Sequence, residues 1–376
     1  MGARHELFAT CPRGLEAVLH QELKELRMGR IERQVGGCQF QGGPAEVARA
    51  NLWLRTANRV LLRVDRFPCP SDAALYEAAR EVPWERWLRP EGTLRVQARV
   101  QDSALTHGRF VEQRVKDALC DRFVERTGTR PSVGDEDSDL RIHVHLFRDR
   151  ATLALDTTGP PLYKRGWRVA QGRAPLPETL AAGVVLLSGW DRRSPLVDPF
   201  CGSGTLLVEA ALLAAGAAPG LGRSFGEERW LSSDARAWER ARSEAQAARR
   251  ATPKLQVLGS DLEAERVEDT RANLASAGIE AAVQLEVADG RRFEPRPGWN
   301  GQVLTNLPWG VRVSDPARVL ALYEAFGQRL REGASGYGLA LLAGEPRQVD
   351  ALGLPGERVE LANGNQPCVL LRSRLA

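Results

Sequence analysis

Apolar positions recur with two different periods along this chain, and the change of period divides it. Leu15, Val18, Leu19, Leu23 and Leu26 repeat at three and four residues, which predicts a helix over Leu15–Leu26. Glu6–Ala9 reads as a short strand before it. Cys38–Gln41, bracketed by Gly36-Gly37 and Gly42-Gly43, reads as another. Pro44 fits a first helical turn, and the helix it opens is expected to reach about Arg59. Leu94–Val100, Leu140–Phe147 and Thr152–Asp156 alternate as strands, and Phe110–Glu125 places Val111, Val115, Leu119 and Phe123 on one helical face. The plain expectation is an α+β module.

From residue 178 onward helices and strands alternate, the pattern of a doubly wound, mostly parallel sheet. Helices are predicted over Glu178–Ser188, Thr205–Ala215 and Glu263–Ala277. Strands are predicted over Pro195–Asp198, Leu255–Ser260, Val283–Ala288, Gln302–Thr305 and Tyr337–Ala343, with a hairpin of Arg358–Leu361 and Cys368–Leu371 about Gly364. Ala217–Pro253 reads as a helical insertion between the first two strand units.

Between these halves lies Thr157–Pro177. It holds Pro160, Pro161, Pro175 and Pro177, the bases Lys164, Arg165, Arg168 and Arg173, and no acid; Tyr163 and Trp167 are interleaved. Two readings stand: a solvated linker, or contacts from Lys164, Arg165 and Arg168 to the phosphates of a nucleic acid.

Composition narrows the class. The chain has 376 residues, 43% hydrophobic and 27% charged, enough for a large core. Its formal net charge of +4 excludes a histone-like binder but leaves room for a local basic groove. The start lacks a basic, then apolar leader, and the longest apolar run, Thr205–Ala218, is broken by Glu209. Six scattered cysteines without a C-x-x-C pair suit a reducing compartment. The expectation is a cytoplasmic protein with no membrane span and no metal centre. His143 and His145, two apart on a strand, are expected to be ordinary strand residues.

The most informative segment is Asp198-Pro199-Phe200-Cys201-Gly202-Ser203-Gly204-Thr205. A strand ends in an acid, glycines turn the chain, and a helix begins, so a small ligand can approach the backbone closely. Leu207 stands where a dinucleotide fingerprint has its third glycine, and an acid at the entrance repels a pyrophosphate. It attracts instead the ammonium of an amino-acid moiety, as in S-adenosylmethionine. Asp261 ends the next strand and can accept from both ribose hydroxyls. Asp289 ends the third, either as an adenine contact or as a helix N-cap. Cys201 is expected to be an inert packing residue.

The fourth strand runs into Asn306-Leu307-Pro308-Trp309. The amide oxygen of Asn306 and the carbonyl of Leu307 can orient the two hydrogens of an exocyclic amine, and Trp309 offers a stacking face for a flipped base.

The Asp198–Thr205 and Asn306–Trp309 segments together resemble those of the THUMP-containing RNA guanine-N2 methyltransferases, most closely the bacterial 23S rRNA enzymes. Leu7–Leu15, Arg114–Ala118, Arg130–Ser132, Leu162–Arg168 and Ala174–Leu180 extend the resemblance over nearly the whole chain. It implies an α/β architecture: a ferredoxin-like region over 1–64, a THUMP RNA-binding domain over 65–156, a linker over 157–177, and a Rossmann-like S-adenosylmethionine-dependent methyltransferase domain over 178–376. It also implies a cofactor set of Thr179, Asp198 to Thr205, Asp261, Asp289 and Asn306, catalysis at Asn306 to Trp309, and RNA as partner. The RNA is 23S rRNA or, on the same architecture, tRNA. The family's usual turn is Asn-Pro-Pro-Tyr; here Leu307 and Trp309 replace the first Pro and the Tyr. An adenine-N6 enzyme and a non-catalytic RNA-binding relic are the competing readings.

Overall fold

The computed structural model describes residues 4–172, 175–250, 255–296, 298–310 and 316–375. Arg173, one of the four bases between the halves, lies outside them. The first half opens with β1 (His5–Thr10), α1 (Glu16–Glu25), β2 (Gly29–Gln34), β3 (Gly37–Gly42), α2 (Pro44–Trp53) and β4 (Arg59–Pro68). It continues with α3 (Asp72–Glu81), β5 (Thr93–Gln101), α4 (Gly108–Thr127), β6 (Ser132–Val133), β7 (Leu140–Phe147) and β8 (Arg150–Asp156). All eight strands form one sheet in the order β2-β3-β1-β4-β8-β7-β5-β6.

Two expectations are corrected here. The helix from Pro44 stops at Trp53, because Leu54 turns extended with φ −66° and ψ 119°. The residues beyond Arg59 instead form β4, which pairs with β1 on one side and β8 on the other. A domain boundary at 64/65 therefore falls inside β4, the strand through which the ferredoxin-like and THUMP regions share one sheet.

The second half comprises α5 (Glu178–Leu187), β9 (Leu196–Asp198), α6 (Thr205–Ala214), α7 (Ala235–Ala248), β10 (Val257–Asp261), α8 (Ala264–Ser276) and β11 (Val283–Val287). It ends with β12 (Gln302–Asn306), α9 (Pro316–Gly333), β13 (Gly338–Ala343), α10 (Pro346–Ala351), β14 (Glu357–Asn363) and β15 (Gln366–Arg374). The sheet order is β11-β10-β9-β12-β13-β15-β14, parallel except for β15, which runs antiparallel to both its neighbours. Central β13 is buried at every position, which is why its sequence shows no alternation. Successive strands turn outward in opposite directions from β9 and β12. This topological switch point is where ligands bind in open α/β sheets.

The described residues of the segment 157–177 do not form a solvated linker. Leu162, Arg165, Trp167 and Leu176 are buried, and apolar residues of both halves belong to one core cluster. Arg165 lies beneath the surface, where its guanidinium bonds the carbonyls of Leu162 (2.8 Å) and Arg55 (2.5 Å) and pairs with Glu209 at 3.4 Å. Arg55 in turn donates to the carbonyl of Ala217 at 2.5 Å. Leu15 of the first half seats against α5 where Gly183 leaves space; a Cβ there would lie 2.4 Å from Leu15 Cδ1. Among the described residues no helix is long and apolar enough to cross a membrane.

Candidate active site

Asp198 ends β9 and is 1% exposed. Its Oδ1 accepts from the hydroxyl of Thr305 (2.6 Å) and the amide of Phe200 (3.2 Å), and among the described residues no cation is a hydrogen-bond partner of its carboxylate. Burial, reinforced by the nearby Asp261 carboxylate, holds the Asp198 carboxyl up at about 7, although Thr305 and the Phe200 amide pull it down. A carboxylate so placed gains most from a cationic partner.

The turn that follows is pinned from both sides. The Gly202 amide donates to Asp261 Oδ2 at 3.0 Å, and the Glu263 amide to its Oδ1 at 3.0 Å. Gly204 has φ +79°, and a Cβ there would stand 2.5 Å from Thr270 Cγ2, so only glycine fits. Cys201 is buried, its thiol pushed up by burial and by Asp198, and it is not a nucleophile in waiting. Phe200 lies over Gly290 and makes an edge-on contact with Phe326 at 5.1 Å.

Two residues on α8 that sequence reasoning passed over hold this turn. Thr270 donates to the carbonyl of Gly202 (2.8 Å), and Asn273 donates to that of Ser203 (2.9 Å). Asn273 also accepts from the amides of Val169 (2.9 Å) and Ala170 (3.0 Å), tying the turn to the segment that joins the halves. The available signal was two polar residues one helical turn apart on the buried face of α8.

Arg168, expected to contact phosphates, is placed as a brace within the fold. Its guanidinium pairs with Glu178 at 2.8 Å and donates to the carbonyl of Leu176 (3.0 Å) and the hydroxyl of Thr205 (3.1 Å). Arg165 is likewise buried, and Trp167 is 6% exposed; of the three bases Lys164, Arg165 and Arg168, only Lys164 faces solvent fully. Thr179 is fully buried with its hydroxyl bonded to Asn58 at 2.8 Å, so it joins the halves and shows a ligand no surface. Asp289 caps the short turn Gly290–Arg292 through the Arg291 amide, and the forked Arg291 side chain holds its carboxyl below the usual range. Beside it lies a cavity of about 350 Å³, bordered by Ser260, Ala288, Gly290 and Phe293.

At the end of β12 the indole N–H of Trp309 donates to Oδ1 of Asn306 at 2.9 Å. One lone pair of that oxygen is thereby engaged, and among the described residues the other accepts no hydrogen bond. Leu307 is fully buried, its amide donating to the carbonyl of Leu342 at 3.2 Å. Gln348, 3% exposed, clasps the turn: its amide donates to the carbonyl of Trp309 (2.8 Å), and its Oε1 accepts from the amides of Gly344 (2.9 Å) and Glu345 (3.1 Å). Tyr323 reaches the carbonyl of Pro308 at 3.3 Å. Trp309 packs over Gly344, where a Cβ would come within 2.7 Å of the Trp309 Cβ and 2.8 Å of its ring atom Cγ, so one edge of the indole is fixed while the residue stays partly exposed. His143, by contrast, lies in the first half, 3.6 Å from Asp156.

Comparison with known proteins follows the same division of the chain. Residues 165–371 match the model of an RMKL-like methyltransferase domain, residues 6–61 that of an RlmL ferredoxin-like domain, and residues 71–156 that of a THUMP domain. The chain is 39% identical over 378 residues to the ribosomal RNA large subunit methyltransferase K/L of Pseudomonas aeruginosa, covering 98% of this chain and 52% of that protein. The protein of the same name from Syntrophotalea carbinolica is 38% identical over 389 residues, covering 100% and 54%. The chain thus spans about half the length of the curated relatives it matches. Among solved structures, a putative methyltransferase complexed with SAH aligns with a TM-score of 0.91 at 29% identity, covering 100% of this chain and 99% of that one. A predicted N6-adenine-specific DNA methylase from Listeria monocytogenes aligns at 0.90 with 30% identity, covering 100% and 97%.

Proposed function

Because the chain belongs to the RMKL-like methyltransferase family, matched over residues 165–371, we propose that it moves a methyl group from S-adenosylmethionine to the N2 amine of a guanine in large-subunit ribosomal RNA. The observation that carries the reading is Asp198. It is a buried carboxylate at the switch point, bonded to the residue that precedes Asn306 and paired with no cation among the described residues. The SAH bound by one similar structure is the demethylated product of that cofactor, and the names of the curated relatives support the RNA class.

The residues fit the cofactor. Asp198 would hold its ammonium, the glycine turn would let its backbone approach, and Asp261 has lone pairs left for the ribose hydroxyls. Asp289 borders the cavity suited to the adenine, where Phe293 supplies an apolar wall. When bound, the cofactor supplies an electrophilic methyl group on a sulfonium.

The chain's own groups provide position. The free lone pair of Asn306 Oδ1 and the carbonyl of Leu307 accept the two hydrogens of the amine, aiming its nitrogen at the crevice. Pro308 fixes the turn and Trp309 gives the flipped ring a flat face. The amine is neutral and loses a proton only after attack, so no strong base is required. Holding donor and acceptor in line supplies most of the rate gain. Among the described bases of the joining segment, Lys164 is the exposed one that can contact RNA.

The test is methyl transfer from labelled S-adenosylmethionine to separated rRNA and tRNA pools. Label in large-subunit rRNA supports the reading. Label confined to tRNA moves the substrate within the family, and label in neither pool removes the enzyme assignment.

A further inference from the structure

Arg165 and Arg168 of the joining segment are engaged within the fold, and a second cationic surface lies on the first half. On its sheet Arg66, Arg99 and His145 form an exposed face. Across it, Arg99 pairs with His145, His145 with Thr152, and Thr152 with Arg66, a row crossing β5, β7, β8 and β4. Four strands at the usual spacing make this row about 14 Å long. The next row places Phe147 beside Arg150. Here lies a cavity of about 380 Å³, lined among others by Arg66, His145, Phe147, Arg148, Arg150 and Thr152, and by no acid.

Three features separate this patch from an ordinary solvated surface. First, no ion pair occupies the side chains of Arg66, Arg148 or Arg150 among the described residues, whereas Arg63 at the cavity's edge is paired with Glu6. The flanking acids are engaged elsewhere: Asp149 accepts from the amide of Ala104 (2.7 Å), and Asp65 from that of Arg66 (2.7 Å). Burial and the positive field of Arg99 and Arg66 hold the His145 imidazole below its usual range. Second, flat groups are stacked within the charge. The rings of His145 and Phe147 are parallel within 5° at 6.3 Å, and the Arg148 guanidinium lies 5.0 Å from the Phe147 centroid. Third, Arg148 and Asp149 form the tip of the β7–β8 hairpin with φ +48° and +54°, a conformation that glycine or asparagine adopts more cheaply. A side chain kept at such a position is a reason to look for a role.

We propose that this sheet face is an RNA-docking site for a single-stranded segment. In it Arg66, Arg148 and Arg150 bind successive phosphates, and the exposed edge of the Phe147–His145 stack receives a base. Unneutralised cations on a flat face with an aromatic platform are the chemistry that single strands require, and an open sheet with stacking aromatics is a known way of meeting it. The site straddles the β4–β8 seam: Arg66 comes from β4, the strand that the two small regions share, and Arg148, Arg150 and Phe147 come from the β7–β8 hairpin. The proposal rests on the reading of the chain as an RNA enzyme, but its test does not need turnover.

The probe is a fluorescent oligouridylate titrated with the full chain at several salt concentrations. Each phosphate contact contributes about 0.7 to the logarithmic salt slope for a single strand. The triple variant Arg66→Ala/Arg148→Ala/Arg150→Ala is expected to bind at least tenfold more weakly, with the slope reduced by about 2, while its affinity for SAH stays at the parent value. Replacing the same three residues by Lys should restore the slope, and Phe147→Leu should weaken binding without changing it. Parental affinity and slope in the triple alanine variant would overturn the proposal. So would a loss that the lysine variant fails to recover, since that would be the signature of altered packing. A parent chain that binds the probe in this way yet methylates no RNA would leave the docking site standing and count against the enzyme reading alone.

Discussion

The hydroxyl of Thr305 donates to Oδ1 of Asp198 across 2.6 Å, joining the last residue before the Asn306 turn to the acid that opens the glycine turn. The two halves of the crevice thus meet in one hydrogen bond between adjacent parallel strands. That bond also lowers the Asp198 carboxyl against the effect of burial.

Thr305→Val keeps the shape and removes the donor. Asp198 should then ionise less readily, and S-adenosylmethionine binding near pH 7 should weaken about fivefold, for a loss of about 1 kcal/mol. Calorimetry at pH 7 and pH 9 checks this, because the gap should narrow once Asp198 is ionised in both proteins.

The pH dependence has a definite sign. In the unfolded chain Asp198 ionises near 3.8, and in the folded protein at about 7. Between these values the folded state holds a proton that the unfolded state has released. The group's contribution to stability is therefore complete below 3.8 and is lost as pH rises to about 7. Asp198→Asn should remove that component from the unliganded protein's unfolding free energy. Binding of the cationic cofactor should release nearly one proton at pH 6 in the parent and none from this site in Asp198→Asn. Calorimetry in buffers of different ionisation enthalpy measures the difference.

How much of this was legible in the sequence depends on how local each signal is. Asp198, Gly202, Gly204 and the Asn306–Trp309 turn could be read because strand ends, positive-φ glycines and a proline turn are written in consecutive residues. The arginines could not. Arg165 and Arg168 stand in a stretch without acids, and their partners Glu209 and Glu178 belong to other elements, so a buried brace looks like an exposed basic linker. β4 was hidden for a related reason: α2 ends without a glycine or proline stop, and Val60-Leu61-Leu62 continues its apolar run in a form either period can accept. Thr270 and Asn273 became meaningful only when the fold brought α8 under the glycine turn.

Gln348 touches no reacting atom, and acts by holding the carbonyl of Trp309 and two amides of the β13–α10 loop. Gln348→Ala leaves these groups buried and unpaired, at roughly 1–3 kcal/mol each before relaxation. The rate at saturating substrates should fall while the apparent affinity for the cofactor holds. A drop in both together would assign Gln348 to general stability instead.

The buried pair Arg165–Glu209 should behave as a unit between the halves. Arg165→Met alone should destabilise by about 3–5 kcal/mol, because Glu209 is left buried without its partner. Adding Glu209→Leu should recover part of the loss in denaturant titrations, the carbonyls of Leu162 and Arg55 staying without their donor. Additive losses would show that the two side chains do not share one interaction.

The central claim is that the turn opening with Asn306 presents a guanine amine to a methyl group bound beside Asp198. Nucleoside mass spectrometry of large-subunit rRNA after a single turnover, comparing the parent chain with Asn306→Ala, tests it most directly. The expected result is N2-methylguanosine from the parent and a transfer rate lower by at least tenfold in the variant, with S-adenosylmethionine binding unchanged. Methylated adenosine in place of methylguanosine, or an Asn306→Ala protein as fast as its parent, would contradict it.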